Sequence, residues 1–254
     1  MHVADSKAKS VLVIPARYAS TRFPGKPLAL IDGIPMIVRV LNQAKKVRRV
    51  SKIVVATDHD DIRSTVENAG GYVVMTSSDI ATGTDRVAAA AADIDCDIVV
   101  NLQGDEPLIN PDHITQAIED LQSDPGADMA TLACPVHDPA DILNPNVVKV
   151  IIDASSYAVY FSRAPIPYTA DAVPTDWKFY LRHIGLYVFK RSYLYKFVSL
   201  EQAWSEKVEK LEQLRALHHG GIIRVSLVDS MSPGVDKPED IAIIEQLLRK
   251  QSER

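Results

Sequence analysis

The apolar residues in the first half of the chain form short runs that alternate with longer segments of helical spacing. Short runs of Val, Ile and Leu are typical of strands buried on both faces of a parallel sheet. Apolar residues three and four positions apart predict amphipathic helices. We therefore predict strands at 10–15, 53–57, 72–75, 98–102 and 129–136, and helices at 35–49, 61–69, 84–92 and 111–121.

This alternation of strands and helices predicts an α/β fold with a doubly wound, mostly parallel, Rossmann-like sheet. Such sheets bind ligands beyond the carboxyl ends of their strands, so functional residues should follow the strands directly. Asp58 follows the strand at 53–57, and we predict that it caps the amino end of the next helix.

The alternation stops near residue 145. Two short strands are predicted at 147–152 and 157–161, and a proline-rich stretch at 165–174 follows them. We interpret residues 145–190 as a small antiparallel insertion within a single domain that spans residues 1–254. The remaining predicted elements are a strand at 183–189, helices at 192–200 and 207–218, a strand at 224–228 and a helix at 238–250.

Composition and charge narrow the classes of function. The net charge of −5 argues against nucleic acid as the main partner, because nucleic-acid-binding proteins usually carry a basic surplus. Cys96 and Cys134 belong to no metal-binding or redox motif, which favours reduced core cysteines. The first residues are polar, and no run of about 18 apolar residues occurs. We expect a cytoplasmic protein without a membrane span.

A basic loop, ARYASTRFPGKPL, follows the first strand at residues 16–28. Its cations Arg17, Arg22 and Lys26 alternate with Ser, Thr and Gly, whose backbone can turn its N–H groups inward around a polyphosphate. The loop contains neither the GxxxxGK[ST] nor the GxGxxG pattern. A solvated basic loop is the alternative, but its position at a strand end favours phosphate binding.

The segment NLQGDEP, residues 101–107, places two carboxylates after an apolar strand. A carboxylate at such a strand end is a typical Mg²⁺ ligand in enzymes that act on nucleoside triphosphates. Pro107 favours an extended Glu106, so Asp105 and Glu106 should point to opposite sides. We expect Asp105 beside the metal and Glu106 supporting the loop; the alternative is a turn with solvated acids.

Several segments together resemble one enzyme family. They are the basic loop, VATDHDDI, GTDR at 83–86, NLQGDEP, NPNVVKV with YFSRAPIP, RHIGLY, LEQLR and GVDKPED. This set, from residue 11 to about residue 248, resembles the 3-deoxy-manno-octulosonate (Kdo) cytidylyltransferases. The basic loop and GDEP are shared with other sugar-acid cytidylyltransferases, whereas RHIGLY, LEQLR and the YFSR segment point to the Kdo branch.

The resemblance implies a nucleotidyltransferase fold and an enzyme that transfers CMP from CTP to Kdo for lipopolysaccharide biosynthesis, with Mg²⁺ as cofactor and a homodimer as the assembly. It implies catalytic roles for Arg17, Lys26 and Asp105 and metal ligation by Asp105 and Asp236. The implied nucleotide-binding residues are Pro15, Ala16, Arg17, Lys26, Gly83, Thr84 and Arg86. The implied sugar-binding residues are Gln103, Arg163, His183, Tyr187, Glu212 and Gln213.

Some residues depart from the family pattern. The segment at 204–206 is Trp-Ser-Glu where the family often has Pro-Leu-Glu, Pro233 stands where it usually has Thr, and Ser156 replaces a turn glycine. Arg163 could instead form a surface ion pair, His183 could be a packed histidine, and Glu212 could be a solvated acid. Aromatic residues at 157, 160, 161, 177, 179 and 180 suggest that the insertion at 145–190 and the helix after it form most of the dimer interface.

Other functions remain open at this point. A cytidylyltransferase for 8-amino-Kdo or for a sialic acid would share the basic loop, although RHIGLY and LEQLR favour Kdo over sialic acid. A non-catalytic sugar-nucleotide sensor on the same fold could lose Lys26 or Asp105 without harm. Both residues are present, together with Asp236, so we favour an enzyme.

Overall fold

The computed structural model describes residues 8–19, 23–169 and 179–252. Residues 20–22 of the basic loop, which include Arg22, and residues 170–178, which include Trp177, lie outside the described residues. The chain forms two compact units, Met1–Thr115 with Ser232–Arg254 and Gln116–Met231. Compact units of this kind can belong to one domain, so a single domain with an insertion at 145–190 stays a prediction.

The described strands follow the apolar runs of the sequence. In chain order they are β1 (Ser10–Ala16), β2 (Leu30–Ile31), β3 (Ile34–Pro35), β4 (Val50–Thr57), β5 (Tyr72–Met75), β6 (Ile98–Asn101), β7 (Met129–Pro135), β8 (Lys149–Ile152), β9 (Ala158–Ser162), β10 (Leu181–Lys190) and β11 (Ile223–Leu227).

The described helices match most of the helical spacing. In chain order they are α1 (Met36–Ala44), α2 (Asp60–Asn68), α3 (Gly83–Ala91), α4 (Pro111–Ser123), α5 (Ala140–Leu143), α6 (Arg191–Ser199), α7 (Trp204–Glu209), α8 (Gln213–His218) and α9 (Asp240–Ser252). A 3₁₀ turn at Lys26–Leu28 ends the basic loop.

The first unit is built on a parallel sheet in the order β6, β1, β4, β5, with β2 and β3 as a separate antiparallel hairpin. β1 is buried along almost its whole length, as its apolar run predicts. Since β1 pairs with β4 on one side and with β6 on the other, the strand order reverses between β1 and β6. The loops after these two strands therefore meet where open α/β sheets bind ligands.

The second unit contains the antiparallel pairs. β10 pairs antiparallel with β7 and with β8, β8 pairs antiparallel with β9, and β7 pairs parallel with β11. A bulge interrupts the β10–β7 register between Ile184 and Tyr187. The predicted fold class, a Rossmann-like α/β fold with a mostly parallel sheet and a small antiparallel part, is confirmed.

Two local predictions are wrong. The single helix predicted at 207–218 is broken into α7 and α8, because Lys210 adopts the left-handed conformation (φ 55°) that ends α7. Asp58 does not cap α2; the imidazole of His59 does so by accepting a hydrogen bond from the Asp61 N–H. Both errors concern helix ends, where one residue's backbone or side chain decides the outcome.

A small apolar cluster in the first unit packs α9 and several loops together. It joins the β2–β3 hairpin, the segment before α9 and α9 itself, with Ile31, Met36, Leu108, Val235 and Ile244 all buried. Val235 thereby receives a fixed position, and the backbone beside it is part of the site described below. None of the described helices is long and apolar enough to cross a membrane.

Candidate active site

A cavity of about 320 Å³ opens in the first unit beyond the carboxyl ends of β1 and β6. Its size is that of a small-molecule binding site. Predicted site residues make up much of its lining: Pro15, Ala16, Arg17, Lys26, Gly83, Arg86, Gln103 and Asp105. The structure therefore brings together the basic loop, the start of α3 and the GDEP turn, which are far apart in sequence.

Lys26 is the link between three segments of this unit. Its ammonium group lies 2.5 Å from Asp105 Oδ2 and 2.9 Å from the carbonyl oxygen of Val235. The Val235 N–H donates in turn to the backbone carbonyl of Asp105 at 2.9 Å. The side chain of Lys26 is only 16% exposed, so its position is fixed at the edge of the cavity. This arrangement holds the ammonium group of a loop lysine at a fixed position beside the cavity.

Of the two predicted metal ligands, Asp105 lines the cavity, whereas Asp236 is exposed and is not part of the lining. Asp236 directly follows Val235, and its N–H is held at 2.7 Å by the carboxylate of Asp240. Within the described ranges, no cluster of three or more His, Cys, Asp or Glu side chains could hold a metal ion. Two carboxylates nevertheless fit Mg²⁺, which is commonly held by one or two carboxylates together with substrate phosphates.

The two neighbouring acids of the GDEP turn have different surroundings. Asp105 pairs with Lys26, whereas the carboxylate of Glu106 lies beside Gly234. Gly104 is required for packing, because a Cβ there would stand 2.9 Å from the carbonyl oxygen of Pro15. Thus the glycine allows the turn after β6 to approach the end of β1, and the turn presents Asp105 at the cavity.

Arg86 is held in place by Asp58, which was predicted from the sequence to cap a helix. Its guanidinium is 2% exposed, donates to Asp58 Oδ2 at 2.9 Å and also donates to the hydroxyl of Thr76. The other carboxylate oxygen of Asp58 accepts the Tyr18 N–H at 3.3 Å. Asp58 therefore joins Arg86, a predicted nucleotide-binding residue, to the basic loop. Its position directly after β4 was the signal that could have revealed this role.

A second hydrogen-bonded chain lies behind the cavity. Gln103 Nε2 donates to Asn101 Oδ1 at 3.0 Å, and Asn101 Nδ2 donates to Thr84 Oγ1 at 3.1 Å. Thr84 is buried and is not part of the lining, so its side chain supports the cavity rather than facing it. Thr82 caps α3 by accepting the Asp85 N–H at 3.0 Å, which fixes the helix end at Gly83.

In the second unit, three of the predicted sugar-binding residues form one cluster, in which His183 and Gln213 are buried and Tyr187 is partly buried. The Tyr187 hydroxyl donates to Gln213 Oε1 at 2.9 Å, and the ring centroids of His183 and Tyr187 are 5.7 Å apart. Gln213 Nε2 is buried without a hydrogen-bond partner among the described residues. Burial, with a contribution from Glu212, raises the pKa of Tyr187 far above its usual value, so its hydroxyl keeps its proton. Glu212 Oε1 lies 3.7 Å from Arg215.

His183 is buried between aromatic rings and strand β7. Its ring meets the Phe161 ring edge-on at 4.9 Å between centroids, and its Nε2 lies 2.8 Å from the hydroxyl of Thr131. Burial lowers the pKa of His183 to about 3, which keeps the imidazole neutral. No sequence motif indicated Thr131, because it lies within an apolar strand and its position is typical of a core residue.

The guanidinium group of Arg163 donates to backbone carbonyls. Its Nε donates to the carbonyl of Glu209 at 2.7 Å and its Nη1 to the carbonyl of Pro145 at 2.8 Å. The Glu209 carboxylate accepts the Arg163 N–H at 2.9 Å. Lys149 is fully buried beside it, and its ammonium donates to the Arg163 carbonyl at 2.7 Å. The arginine is thus anchored to the end of α7.

The chain is similar to known proteins along almost its whole length. A family model described as cytidylyltransferase matches residues 11–227. A 3-deoxy-manno-octulosonate cytidylyltransferase from Syntrophotalea carbinolica is 48% identical over 243 residues, which cover 93% of this chain and 97% of the relative. An 8-amino-3,8-dideoxy-manno-octulosonate cytidylyltransferase from Shewanella halifaxensis is 46% identical over 241 residues, covering 93% of this chain and 97% of the relative.

One solved structure is closely similar to this chain in fold. It is a CMP:2-keto-3-deoxy-manno-octonic acid synthetase complexed with CTP. The TM-score is 0.91 at 38% sequence identity, and the match covers 96% of this chain and 100% of that chain.

Proposed function

Because this chain belongs to the cytidylyltransferase family, we propose that it transfers CMP from CTP to the anomeric hydroxyl of Kdo. The products are CMP-Kdo, a precursor for lipopolysaccharide, and pyrophosphate. The observation that carries the proposal is the contact of Lys26 with Asp105 at the edge of the first-unit cavity, in a chain 48% identical to a Kdo cytidylyltransferase.

The reaction is an in-line displacement at phosphorus. The anomeric oxygen of Kdo forms a bond to the α-phosphorus, and the bond from that phosphorus to the oxygen bridging the β-phosphate breaks. The hydroxyl proton leaves to solvent as pyrophosphate departs. Such a transfer needs positioning and neutralisation of charge more than covalent help from the protein.

The first unit supplies the residues for the nucleotide. Arg17 is exposed and lines the cavity with Lys26, so both cations can neutralise a triphosphate there. Pro15 and Ala16 at the end of β1, with Gly83 and Arg86 at the start of α3, form a wall suited to a flat base. Arg86 is already paired with Asp58, so it offers a fixed hydrogen-bond donor rather than an unpaired charge.

We propose that Asp105 and Asp236 hold Mg²⁺ together with the triphosphate. Bound there, Mg²⁺ neutralises phosphate charge and orients the α-phosphate for attack. The support is the Lys26–Asp105 pair at the cavity and the contact of Lys26 with the carbonyl of Val235, which directly precedes Asp236. Metal-free protein in excess EDTA should show no turnover, and added Mg²⁺ should restore it. Full turnover in EDTA would remove the metal from the proposal.

The second unit supplies the proposed contacts to the acidic sugar. Gln213 Nε2 offers a buried donor for a carboxylate or hydroxyl, and the Tyr187 hydroxyl can accept a second hydrogen bond. Arg163 and Glu212 are proposed to frame the same cluster, and Gln103 of the first unit is proposed as a further sugar contact. Their roles are testable by the Michaelis constant for the sugar in single variants.

The 8-amino analogue of Kdo is the second candidate substrate, because a relative of that name is 46% identical to this chain. Pyrophosphate release should be measured with CTP and a panel of Kdo, 8-amino-Kdo and a sialic acid at equal concentration. We expect the highest kcat/KM with Kdo. A clear preference for another acid would replace Kdo in the proposal, and no release with any acid would favour the non-catalytic sensor.

We also propose a homodimer whose interface includes the insertion, but not every aromatic residue named from the sequence. Phe161 and Tyr180 are buried in the core of the second unit. The proposed interface consists of six of the large apolar residues that remain exposed in that unit: Val159, Tyr160, Tyr168, Phe179, Trp204 and Val208. Exposed apolar groups of this number are typical of an interface.

Light scattering at micromolar concentration tests the assembly. The wild type should have the mass of a dimer, and Trp204→Asp should weaken the dimer. Leu143→Asp is the control, since Leu143 is equally exposed but outside this set. A monomeric wild type would refute the proposal.

A cytoplasmic location is proposed on separate grounds. Cys96 and Cys134 are both buried thiols that form no disulfide with each other, as is usual in a reducing compartment. Fractionation of the native host should recover the protein with the cytoplasmic fraction, and recovery from the periplasm would contradict this.

A further inference from the structure

The hydroxyl of Thr131 makes three close contacts, all with residues of β10. It lies 2.7 Å from the carbonyl oxygen of Leu186, 2.8 Å from His183 Nε2 and 3.2 Å from the carbonyl oxygen of Ile184. Thr131 is completely buried, so water does not enter this arrangement. The three contacts lie at the bulge that interrupts the pairing of β10 with β7.

Counting protons fixes the direction of these hydrogen bonds. A hydroxyl carries one proton, and a backbone carbonyl carries none. Contacts of 2.7 and 2.8 Å between two electronegative atoms each need a proton between them. The hydroxyl proton must point to a carbonyl, of which Leu186 is the nearer, so the proton in the other contact belongs to His183 Nε2. Since burial keeps the ring neutral, Nδ1 then carries a lone pair.

We propose that Thr131 is a positioning residue, which holds His183 as the Nε2-protonated tautomer so that Nδ1 accepts a hydrogen bond from a hydroxyl of the acidic sugar. The sugar part of this inference rests on the proposed function. Among the described residues, no hydrogen bond to Nδ1 is present. A carboxylate only accepts hydrogen bonds, so His183 in this form selects a hydroxyl and leaves the sugar's carboxylate to donors such as Gln213 Nε2.

The bulge gives Thr131 a second way to act on the same cluster. In a regular strand, residues 183 and 187 would be about 13 Å apart, from a rise of about 3.3 Å per residue. Here His183 pairs with Ala133 and Tyr187 pairs with Thr131, so these four steps along β10 span only two residues of β7, about 7 Å by the same rise. Because the Thr131 hydroxyl contacts carbonyls on both sides of Gly185, it holds the bulge that draws His183 and Tyr187 together.

The tautomer can be measured without substrate. In protein labelled with ¹⁵N only at its 7 histidines, the ring-nitrogen resonances show which nitrogen carries the proton. The His183 signals are those lost in His183→Gln. We expect the wild type to be protonated at Nε2, and Kdo to shift the Nδ1 resonance while Nε2 stays bonded. A ring protonated at Nδ1, or an Nδ1 resonance whose chemical shift does not change with saturating Kdo, would overturn the inference.

Two variants connect the tautomer to catalysis. Thr131→Val removes the hydroxyl and keeps the shape of the side chain, whereas Thr131→Ser keeps the hydroxyl. Loss of one buried hydrogen bond predicts a rise of about 10- to 100-fold in the KM for Kdo for Thr131→Val, with the KM for CTP within about 2-fold of the wild type. Thr131→Ser should stay within about 3-fold for both substrates and keep the Nε2 tautomer.

The outcomes separate the two proposals. An unchanged KM for Kdo in a folded Thr131→Val variant contradicts the positioning role. If that variant does not fold, the wild-type and Thr131→Ser spectra still decide the tautomer. An Nδ1-protonated ring overturns the inference even in an active enzyme, whereas an absence of turnover with every sugar acid overturns the proposed function even when the tautomer is as expected.

Discussion

The ammonium group of Lys26 lies 2.5 Å from a carboxylate oxygen of Asp105 at the edge of the cavity. A lysine has three N–H donors. Asp105 accepts one of them and the carbonyl of Val235 accepts another at 2.9 Å, which leaves one donor of Lys26 for a phosphate oxygen. The pair thus holds a cation and an anion side by side. A triphosphate would need the cation, and its metal ion would need the anion.

Asp105 and Glu106 should differ sharply despite being neighbours. Asp105→Asn keeps the size of the side chain and removes the charge that a metal needs, so we expect activity to fall at least about 100-fold, or about 2.7 kcal/mol of barrier. Glu106→Gln, whose carboxylate lies beside Gly234, should cost clearly less. Both variants should be assayed at saturating Mg²⁺. If Glu106→Gln is inactive and Asp105→Asn is nearly normal, the metal ligand is Glu106 and not Asp105.

Lys26→Ala should lower kcat/KM by about two to three orders of magnitude, the effect expected when one preorganised charge partner is removed. The matched control is Lys46→Ala, because Lys46 is an exposed lysine of the same unit whose ammonium contacts only a glutamine side chain in the described contacts. We expect the control to be within about 2-fold of the wild type. A loss under about 3-fold for Lys26→Ala would contradict a role for Lys26 in binding the triphosphate.

The buried imidazole of His183 should make the protein sensitive to acid. Its pKa is lowered from 6.5 to about 3, so between these values the unfolded chain binds a proton that the folded protein does not. The contribution is therefore complete above pH 6.5 and is lost as the pH falls toward 3. In that window the free energy of unfolding of the wild type should fall faster than that of His183→Gln, by about 1.4 kcal/mol per pH unit. Parallel curves from denaturant titrations would contradict this.

Ser156 should be a site where glycine stabilises the protein. Its φ is 62°, a left-handed conformation that disfavours a side chain. Ser156→Gly should raise the free energy of unfolding by about 0.5–1 kcal/mol, after allowance for the greater freedom of glycine in the unfolded chain. Ser155→Gly is the control, because Ser155 has no positive φ, and it should be neutral or destabilising. Equal losses in the two variants would refute the strain at Ser156.

The sequence predicted the sheet well and the local exceptions poorly. Runs such as 98–102 can be stable only when buried, so their strands followed directly from composition. The break at Lys210 could not be predicted, because lysine favours a helix and only its surroundings impose φ 55°.

The candidate site was also predicted only in part. Lys26 and Asp105 stood in recognisable motifs at strand ends, and the structure placed them in contact. Asp58 and Thr131 were not found as site residues, since each acts through another side chain that is distant in sequence. Such positioning roles depend on tertiary contacts and on a β-bulge, neither of which leaves a periodic signal in the sequence.

The central claim is that this chain joins CMP to Kdo, and phosphorus NMR of a single reaction tests it most directly. With CTP, Kdo and Mg²⁺, the three CTP resonances should be replaced by one phosphodiester and by pyrophosphate in equal molar amounts, and only when Kdo is present. Formation of CDP with orthophosphate, release of free CMP without a sugar adduct, or unchanged CTP would contradict the account.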